Sequence, residues 1–120
     1  MITFIVTVTA KTGHEPQVAE FYLSLGNALE AAPGFTGRKI YQAKSGTMLA
    51  AVRAGMTEEQ RTKLDEAGHK DVGTRFVLIE FWDNVDDRMA FAQGASAKRM
   101  TELIPHLLPA HTHEFYEELL

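Results

Sequence analysis

The sequence predicts an α+β fold of the ferredoxin-like type, in which helices cover one face of a four-stranded antiparallel sheet. Two observations carry this prediction. Four segments have the alternating or continuous apolar pattern of strands, and two longer segments between them repeat apolar residues at helical spacing. The order is strand, helix, strand, insertion, strand, helix, strand. At 120 residues the chain has the size of one domain, so residues 1–120 are predicted as a single unit with an insertion over about 44–73.

The first strand is predicted over residues 2–10, where apolar side chains alternate with threonine and isoleucine. Pro16 suits the first turn of a helix, because its missing N–H would be unpaired there anyway. Apolar residues recur at helical spacing from Val18 to Ala32, and Pro33 with Gly34 ends this helix. A second strand is predicted over residues 35–43.

The insertion is predicted to contain a strand and a helix. Residues 47–53 can form a short strand, in a hairpin with the strand before it. Thr57 and Gln60 have the spacing of a capping box, for a helix that ends near His69. Few positions of this helix are apolar, so we expect it on the surface.

The longest run of β-formers is TRFVLIEFW, over residues 74–82, with no glycine or proline. Such a run is typical of a central strand buried on both faces. Glu80 lies two residues before Trp82, the only tryptophan, so both side chains point to one face. A buried carboxylate needs a partner or a wet cavity, which makes this strand the predicted wall of a pocket.

The last third is predicted as two helical pieces and a strand. Asp83 or Asn84 can cap a helix that Gly94 interrupts, and Ser96 can cap a second piece that Pro105 kinks or ends. The last strand is predicted over residues 110–117.

Helices can cover only one face of such a sheet. The other face is predicted to carry Ile5, Ile40 and part of the central strand. An apolar uncovered face predicts burial against a second copy, so we expect a homodimer with the two sheets face to face.

Composition argues against several classes of function. The net charge of −4, with no basic patch, makes a nucleic-acid partner unexpected. Without cysteine the chain has no disulfide, no thiolate nucleophile and no thiolate metal site. No apolar run approaches the roughly 18 residues of a membrane span, so no membrane partner is expected. The N-terminus lacks the basic region of a signal peptide, and the predicted compartment is the cytoplasm.

Three residues are predicted to carry chemistry. Trp82 can stack on a flat aromatic substrate, or it can be a core residue that seals the strand end. Glu80 can act as a general base, or it can form an ion pair with one of three arginines, Arg75, Arg88 and Arg99. His113 can act as a general base because the pKa of imidazole lies near neutrality, and its alternative is a surface or interface position.

Four further residues are predicted to contact a substrate: Tyr22, Asn27, Phe91 and His111. Tyr22 belongs to the apolar stripe of the first helix, so its alternative is a core position. Asn27 follows Gly26 in mid-helix, and its alternative is an exposed weak point of that helix. His111 and His113 share one face of the last strand, and such a pair can bind a metal when a third ligand converges. The candidates for that ligand are His69, His106 and Glu80. Without a fuller motif, no metal is predicted.

Several short motifs resemble the antibiotic biosynthesis monooxygenase family. They are the strand that starts at Met1-Ile2, the Pro33-Gly34-Phe35 turn, Glu80-Phe81-Trp82, and the acidic helix start over residues 83–87. The resemblance covers most of the chain except about 44–73. It implies a dimeric α+β barrel with a pocket between the sheet and its helices. It also implies a cofactor-independent monooxygenase that acts on a small phenolic or quinone-like aromatic.

The sequence departs from the haem-degrading branch of that family. Trp82 matches the branch's tryptophan, but the first strand has Thr7 where the branch has asparagine. The helix after Trp82 has no histidine before His106. We therefore predict no cofactor. The missing helix histidine also keeps an alternative open, a non-catalytic ligand-binding or assembly module with the same fold.

Overall fold

The computed structural model describes residues 1–67 and 73–120. In chain order its elements are β1 (Ile2–Ala10), α1 (Glu15–Ser24), α2 (Gly26–Ala31), β2 (Phe35–Gln42), α3 (Thr47–Ala54), α4 (Glu58–Glu66), β3 (Thr74–Trp82), α5 (Val85–Gln93), α6 (Ala95–Leu103), a 3-10 turn (Ile104–His106) and β4 (Leu107–Tyr116). Within the ranges described, no helix has the length and apolarity needed to cross a membrane.

The four strands form one antiparallel sheet in the order β2-β3-β1-β4. This confirms the predicted ferredoxin-like α+β fold. The two most apolar strands, β1 and β3, occupy the centre, and the register places Phe4 opposite both Glu80 and Phe115. These three side chains therefore share one face of the sheet.

The core lies between that face and the helices. The alternation predicted for β1 is present, because Phe4, Val6 and Val8 are buried beneath the helices. The other buried apolar side chains of the core are Ala10, Val18, Phe21, Leu25, Leu29, Phe76, Leu78, Trp82 and Leu103. They come from α1, α2, α6, β1 and β3, so these elements form one hydrophobic unit.

Several predicted boundaries were wrong. Residues 47–53 belong to the helix α3 and not to a strand, because methionine, leucine, alanine and arginine all favour helix. The first helix is broken at Leu25, just before Gly26, a poor helix former. β4 starts at Leu107, three residues before the predicted start.

The apolar face away from the helices, here called the outer face, has a different membership from the one predicted. Ile40 pairs with Leu78 and packs against the core, so its predicted place on the outer face was wrong. Ile5 and Ile79 face each other on the outer face, and both are partly exposed.

The helices α3 and α4 form a projecting arm over residues 47–66. Thr57 and Gln60 close the predicted capping box at the start of α4. The two helices are joined by an Arg53–Asp65 ion pair and by a bond from Arg61 Nε to the Arg53 carbonyl at 2.8 Å. In the described part of the chain, neither helix packs extensively on the sheet. The predicted end of α4 near His69 lies outside the described residues, and the helix ends at Glu66.

The turn before β2 is fixed against the start of α5. Gly34 has φ of +83°, and a Cβ there would lie 2.2 Å from the carboxylate of Asp87. The Gly34 carbonyl accepts a bond from the Asp83 N–H at 2.8 Å. Asn84 caps α5 by accepting from the Asp87 N–H at 2.8 Å. Only glycine fits this turn, and the turn sets where α5 begins.

Candidate functional site

A cleft of about 440 Å³ opens between the sheet and the helices α5 and α6. Its wall is mostly apolar and includes Phe4, Phe115, Met89 and Met100, and Arg88 and His113 are among its polar groups. Because β4 pairs with β1, His113 lies opposite Val6 on the helix-facing side. This combination, an apolar chamber with a few convergent polar groups, is typical of small-molecule sites.

Arg88 is held rigidly beside the cleft. Its Nε donates to Glu80 Oε1 at 2.7 Å, and the two side chains are only 13% and 12% exposed. Trp82 Nε1 donates to the same oxygen at 2.8 Å. The guanidinium carbon lies 4.4 Å from the ring centre of Phe4 and 5.4 Å from that of Phe91. An ion pair and stacked rings together fix the direction of this cation.

The terminal nitrogens of Arg88 are available to a ligand. Among the residues described, neither Nη1 nor Nη2 has an acceptor, and no fully buried side-chain nitrogen or oxygen lacks a partner. The two nitrogens therefore retain contact with solvent, and Arg88 is one of the residues that line the cleft. A guanidinium whose two terminal NH₂ groups are free is suited to an oxyanion such as a phenolate, an enolate or a peroxide.

His113 provides the basic group of the cleft. Its Nδ1 lies 3.1 Å from Nδ1 of His111, and the two rings meet edge to face at 4.9 Å. Partial burial, the neighbouring His111 and the charge of Arg88 lower the pKa of His113 below the usual 6.5. Near neutral pH this imidazole is therefore uncharged and able to accept a proton.

Tyr22 lies near the ion pair as a phenol that keeps its proton. Its pKa is raised, first by burial and then by the charge of Glu80, with Arg88 opposing in part. Tyr22 can donate a hydrogen bond but cannot act as a base near neutral pH.

The structure brings some of the predicted site residues together and not others. Glu80, Trp82 and Tyr22 surround the inner side of Arg88, and His113 lines the cleft next to it. Trp82 is fully buried, so it has no exposed surface for a substrate to stack on.

The other predicted contacts lie further from the cleft. Phe91 packs on Trp82 with ring centres 5.8 Å apart, and it lines a separate, smaller pocket. Asn27 is exposed at the start of α2 and is not part of the cleft wall. His111 is exposed and contacts His113.

The sequence predicted Arg88 only as one possible partner of Glu80, and its place in the cleft was missed. A signal was present, because Arg88 recurs with Phe91 and Ala92 at helical spacing on α5. A charged residue within such a stripe faces the protein and needs a reason to do so.

No group of three metal-ligating side chains occurs over residues 1–67 and 73–120. His106, one of the predicted third ligands, is instead paired with His14, their Nδ1 atoms 2.9 Å apart. His69 lies outside the described residues, and Glu80 is committed to Arg88 and Trp82.

The chain resembles known proteins in its fold. No family model matches the chain. No curated protein matches it either. Solved structures do match over almost the whole chain, and several are named antibiotic biosynthesis monooxygenases.

Three of these structures combine a similar fold with low sequence identity to the chain. A Bordetella bronchiseptica protein with that family name is 14% identical, with a TM-score of 0.69 over 99% of this chain and 97% of its own. One from Nitrosomonas europaea is 18% identical, with a TM-score of 0.68 over 98% and 89%. SnoaB of Streptomyces nogalater, named a cofactor-independent oxygenase, is 15% identical, with a TM-score of 0.65 over 99% and 93%. The chain has the fold of these proteins, which confirms the resemblance at the level of fold.

Proposed function

We propose that the protein is a cofactor-independent monooxygenase that acts on a small phenolic or quinone-like aromatic molecule. The observation that carries this proposal is the pairing of an uncharged imidazole, His113, with the free guanidinium nitrogens of Arg88 in an apolar cleft. The name of SnoaB, whose fold the chain shares, supports the same reaction class. The cytoplasm remains the predicted compartment.

The proposed chemistry needs only groups that this cleft provides. His113 takes the proton of a substrate hydroxyl, and Arg88 stabilises the resulting anion. The electron-rich anion reduces O₂ and forms a carbon–peroxide bond. The peroxide regains a proton and loses water, so that a CH₂ group and O₂ become a C=O group and H₂O. The apolar wall keeps bulk water away from the anion.

In the proposed site, the predicted residues around Arg88 hold its side chain in position. Glu80 and Trp82 hold the guanidinium in place, and the proposed reaction requires no contact between either residue and the substrate. Tyr22 is a donor close to the same group, and its role as a substrate contact stays a prediction. Asn27 and Phe91 also stay predictions.

Replacing His113 with alanine is expected to lower oxygen uptake about 10²- to 10⁴-fold, the usual contribution of a positioned base. The measurement is oxygen consumption with hydroxyanthrones and hydroquinones in the presence of a chelator. In the wild type the rate should rise with pH as His113 loses its proton. Because the pKa of His113 is lowered, the rise should have its midpoint below 6.5 and level off near neutrality.

The matched control is His106→Ala, which removes a histidine that contacts His14 and does not line the cleft. This variant should keep the wild-type rate. The proposal fails if no phenol or hydroquinone supports oxygen uptake, or if His113→Ala is as active as the wild type. Ligand-dependent stabilisation without oxygen uptake would favour the alternative, a non-catalytic binding module.

We also propose a homodimer formed through the outer face, where Ile5 and Ile79 are partly exposed. The wild type should sediment at twice the 13.4 kDa of one chain. Ile79→Glu places a charge at the centre of this face and should give a folded monomer. Lys98→Glu, on the exposed side of α6, is the control and should stay dimeric. A monomeric wild type, or a dimer that tolerates Ile79→Glu, would contradict this interface.

A further inference from the structure

We propose that His111 is a positioning and proton-relay residue for His113, and this proposal rests on the function proposed above. Both histidines lie on the helix-facing side of β4, where they pair with Val8 and Val6 of β1. Their Nδ1 atoms are 3.1 Å apart, whereas only His113 lines the cleft. The pair therefore links the cleft to an imidazole that lies outside it.

The contact between the two Nδ1 atoms restricts the proton arrangement. A neutral imidazole has one N–H and one lone pair, so two facing Nδ1 atoms can bond only if one carries the proton. If the proton lies on Nδ1 of His113, its Nε2 is a free lone pair. If it lies on His111, the Nε2 of His113 carries hydrogen and cannot act as a base.

The surroundings favour the first arrangement. Arg88 lies close enough to His113 for its charge to act on the ring, and both side chains line the same cleft. A lone pair on Nε2 is attracted to this cation, whereas an N–H at that position would be repelled. On the exposed His111, the proton on Nε2 can be bonded by water. His111 thus holds His113 in the tautomer that can accept a substrate proton.

The same contact gives the proton that His113 accepts a path to solvent. The substrate hydroxyl proton passes to Nε2 of His113, the Nδ1 proton of His113 passes to Nδ1 of His111, and the Nε2 proton of His111 passes to water. The reverse sequence returns one proton to the peroxide. No electrons move in the relay, and water is the only other reactant.

Electrostatic interactions favour moving the positive charge of the accepted proton from His113 to His111. An imidazolium at His113 would lie beside Arg88, and the nearby carboxylates are already engaged. Glu80 is bonded to Arg88 and Trp82, and Glu114 accepts from the Phe115 N–H at 2.9 Å. A positive charge is more stable at His111, which does not line the cleft beside Arg88.

Nitrogen NMR of the full-length chain labelled at histidine tests the positioning role without any turnover. In the wild type, His113 should show a protonated Nδ1 and an unprotonated Nε2. His111→Ala should return His113 to the common Nε2–H tautomer. His111→Gln keeps an acceptor oxygen within reach and should preserve the wild-type tautomer. An Nε2–H form of His113 in the wild type, or no change in His111→Ala, would overturn the proposal.

The same spectra test the relay. As the pH falls, His113 should still be neutral after the pair has taken up its first proton, because its pKa is lowered. Protonation of His113 first would overturn the relay. Because neither measurement uses a substrate, both remain decisive if oxygen uptake is never observed, an outcome that contradicts only the proposed function.

Kinetics give a separate readout with the active enzyme. His111→Gln keeps His113 in the same tautomer but cannot pass the proton on to water. The kcat should therefore fall about tenfold with KM unchanged. Free imidazole should restore part of the loss. A kcat equal to the wild-type value would count against the relay, and a loss that imidazole does not change would indicate a merely structural effect.

Discussion

Arg88→Leu is expected to lower the free energy of unfolding by about 3–5 kcal/mol, because it leaves Glu80 buried without its counter-ion. The pair is well shielded, with side chains 13% and 12% exposed. Leucine keeps part of the apolar contact with Phe4 and Phe91, so the loss should come mainly from the unpaired charge. Urea unfolding followed by Trp82 fluorescence measures it.

Two controls separate charge from packing. Arg53→Leu removes an arginine from an ion pair on the exposed arm and should leave the unfolding free energy nearly unchanged. Adding Glu80→Gln to Arg88→Leu removes the buried charge and keeps an acceptor for Trp82 Nε1, so it should recover part of the loss. The interpretation is wrong if Arg88→Leu destabilises no more than Arg53→Leu, or if the double variant recovers nothing.

Trp82→Ala is expected to cost about 3–5 kcal/mol, the range for removing a large aromatic side chain from a core. Trp82 is fully buried, and its ring packs edge-on to Phe35 at 5.4 Å and against Phe91 at 5.8 Å. Its removal leaves a cavity and weakens the support of Glu80. Urea unfolding followed by circular dichroism measures the change, because the variant has no tryptophan.

Trp82→Phe is the matched comparison. It keeps an aromatic ring in the core and loses the N–H bond to Glu80, whose Oε1 is still bonded by Arg88. Its cost should therefore be clearly smaller than that of alanine. Equal stability of the two variants would show that the packing of Trp82 contributes little.

The parts of the fold that local patterns determine could be predicted from the sequence. The alternation in β1, the continuous run in β3 and the Asn84 cap each gave elements with correct or nearly correct bounds. The α3 segment was misassigned, since a short apolar run fits helix and strand equally well.

The face of the sheet on which Ile40 lies could not be predicted from the local sequence pattern, because it depends on a bulge in β2. The pairing of β2 with β3 shifts between Phe35 and Gly37, so Thr36 is an extra residue at a bulge. One extra residue reverses which side chains point to the helices, and counting alternate residues from the strand start then gives the wrong face.

The types of residue that form the site could be predicted from the sequence, but the residues that each of them contacts could not. Glu80 had three arginines as possible partners, and only the packing of α5 against β3 selects Arg88. Trp82 was predicted either as a stacking surface or as a core residue, and its burial favours the core position. His111 and His113 were placed correctly on one face, because a strand has a period of two.

The projecting arm has a consequence for how fast the chain folds. β2 and β3 are antiparallel neighbours that a two-residue turn could join, yet the chain between them runs from Ala43 to Gly73. Their pairing therefore requires closing a long loop, and each doubling of loop length adds roughly 0.6 kcal/mol of entropy loss. A chain with the arm replaced by an Asn-Gly turn would have lower contact order. It should reach the same sheet sooner, with the largest gain in the rate of refolding.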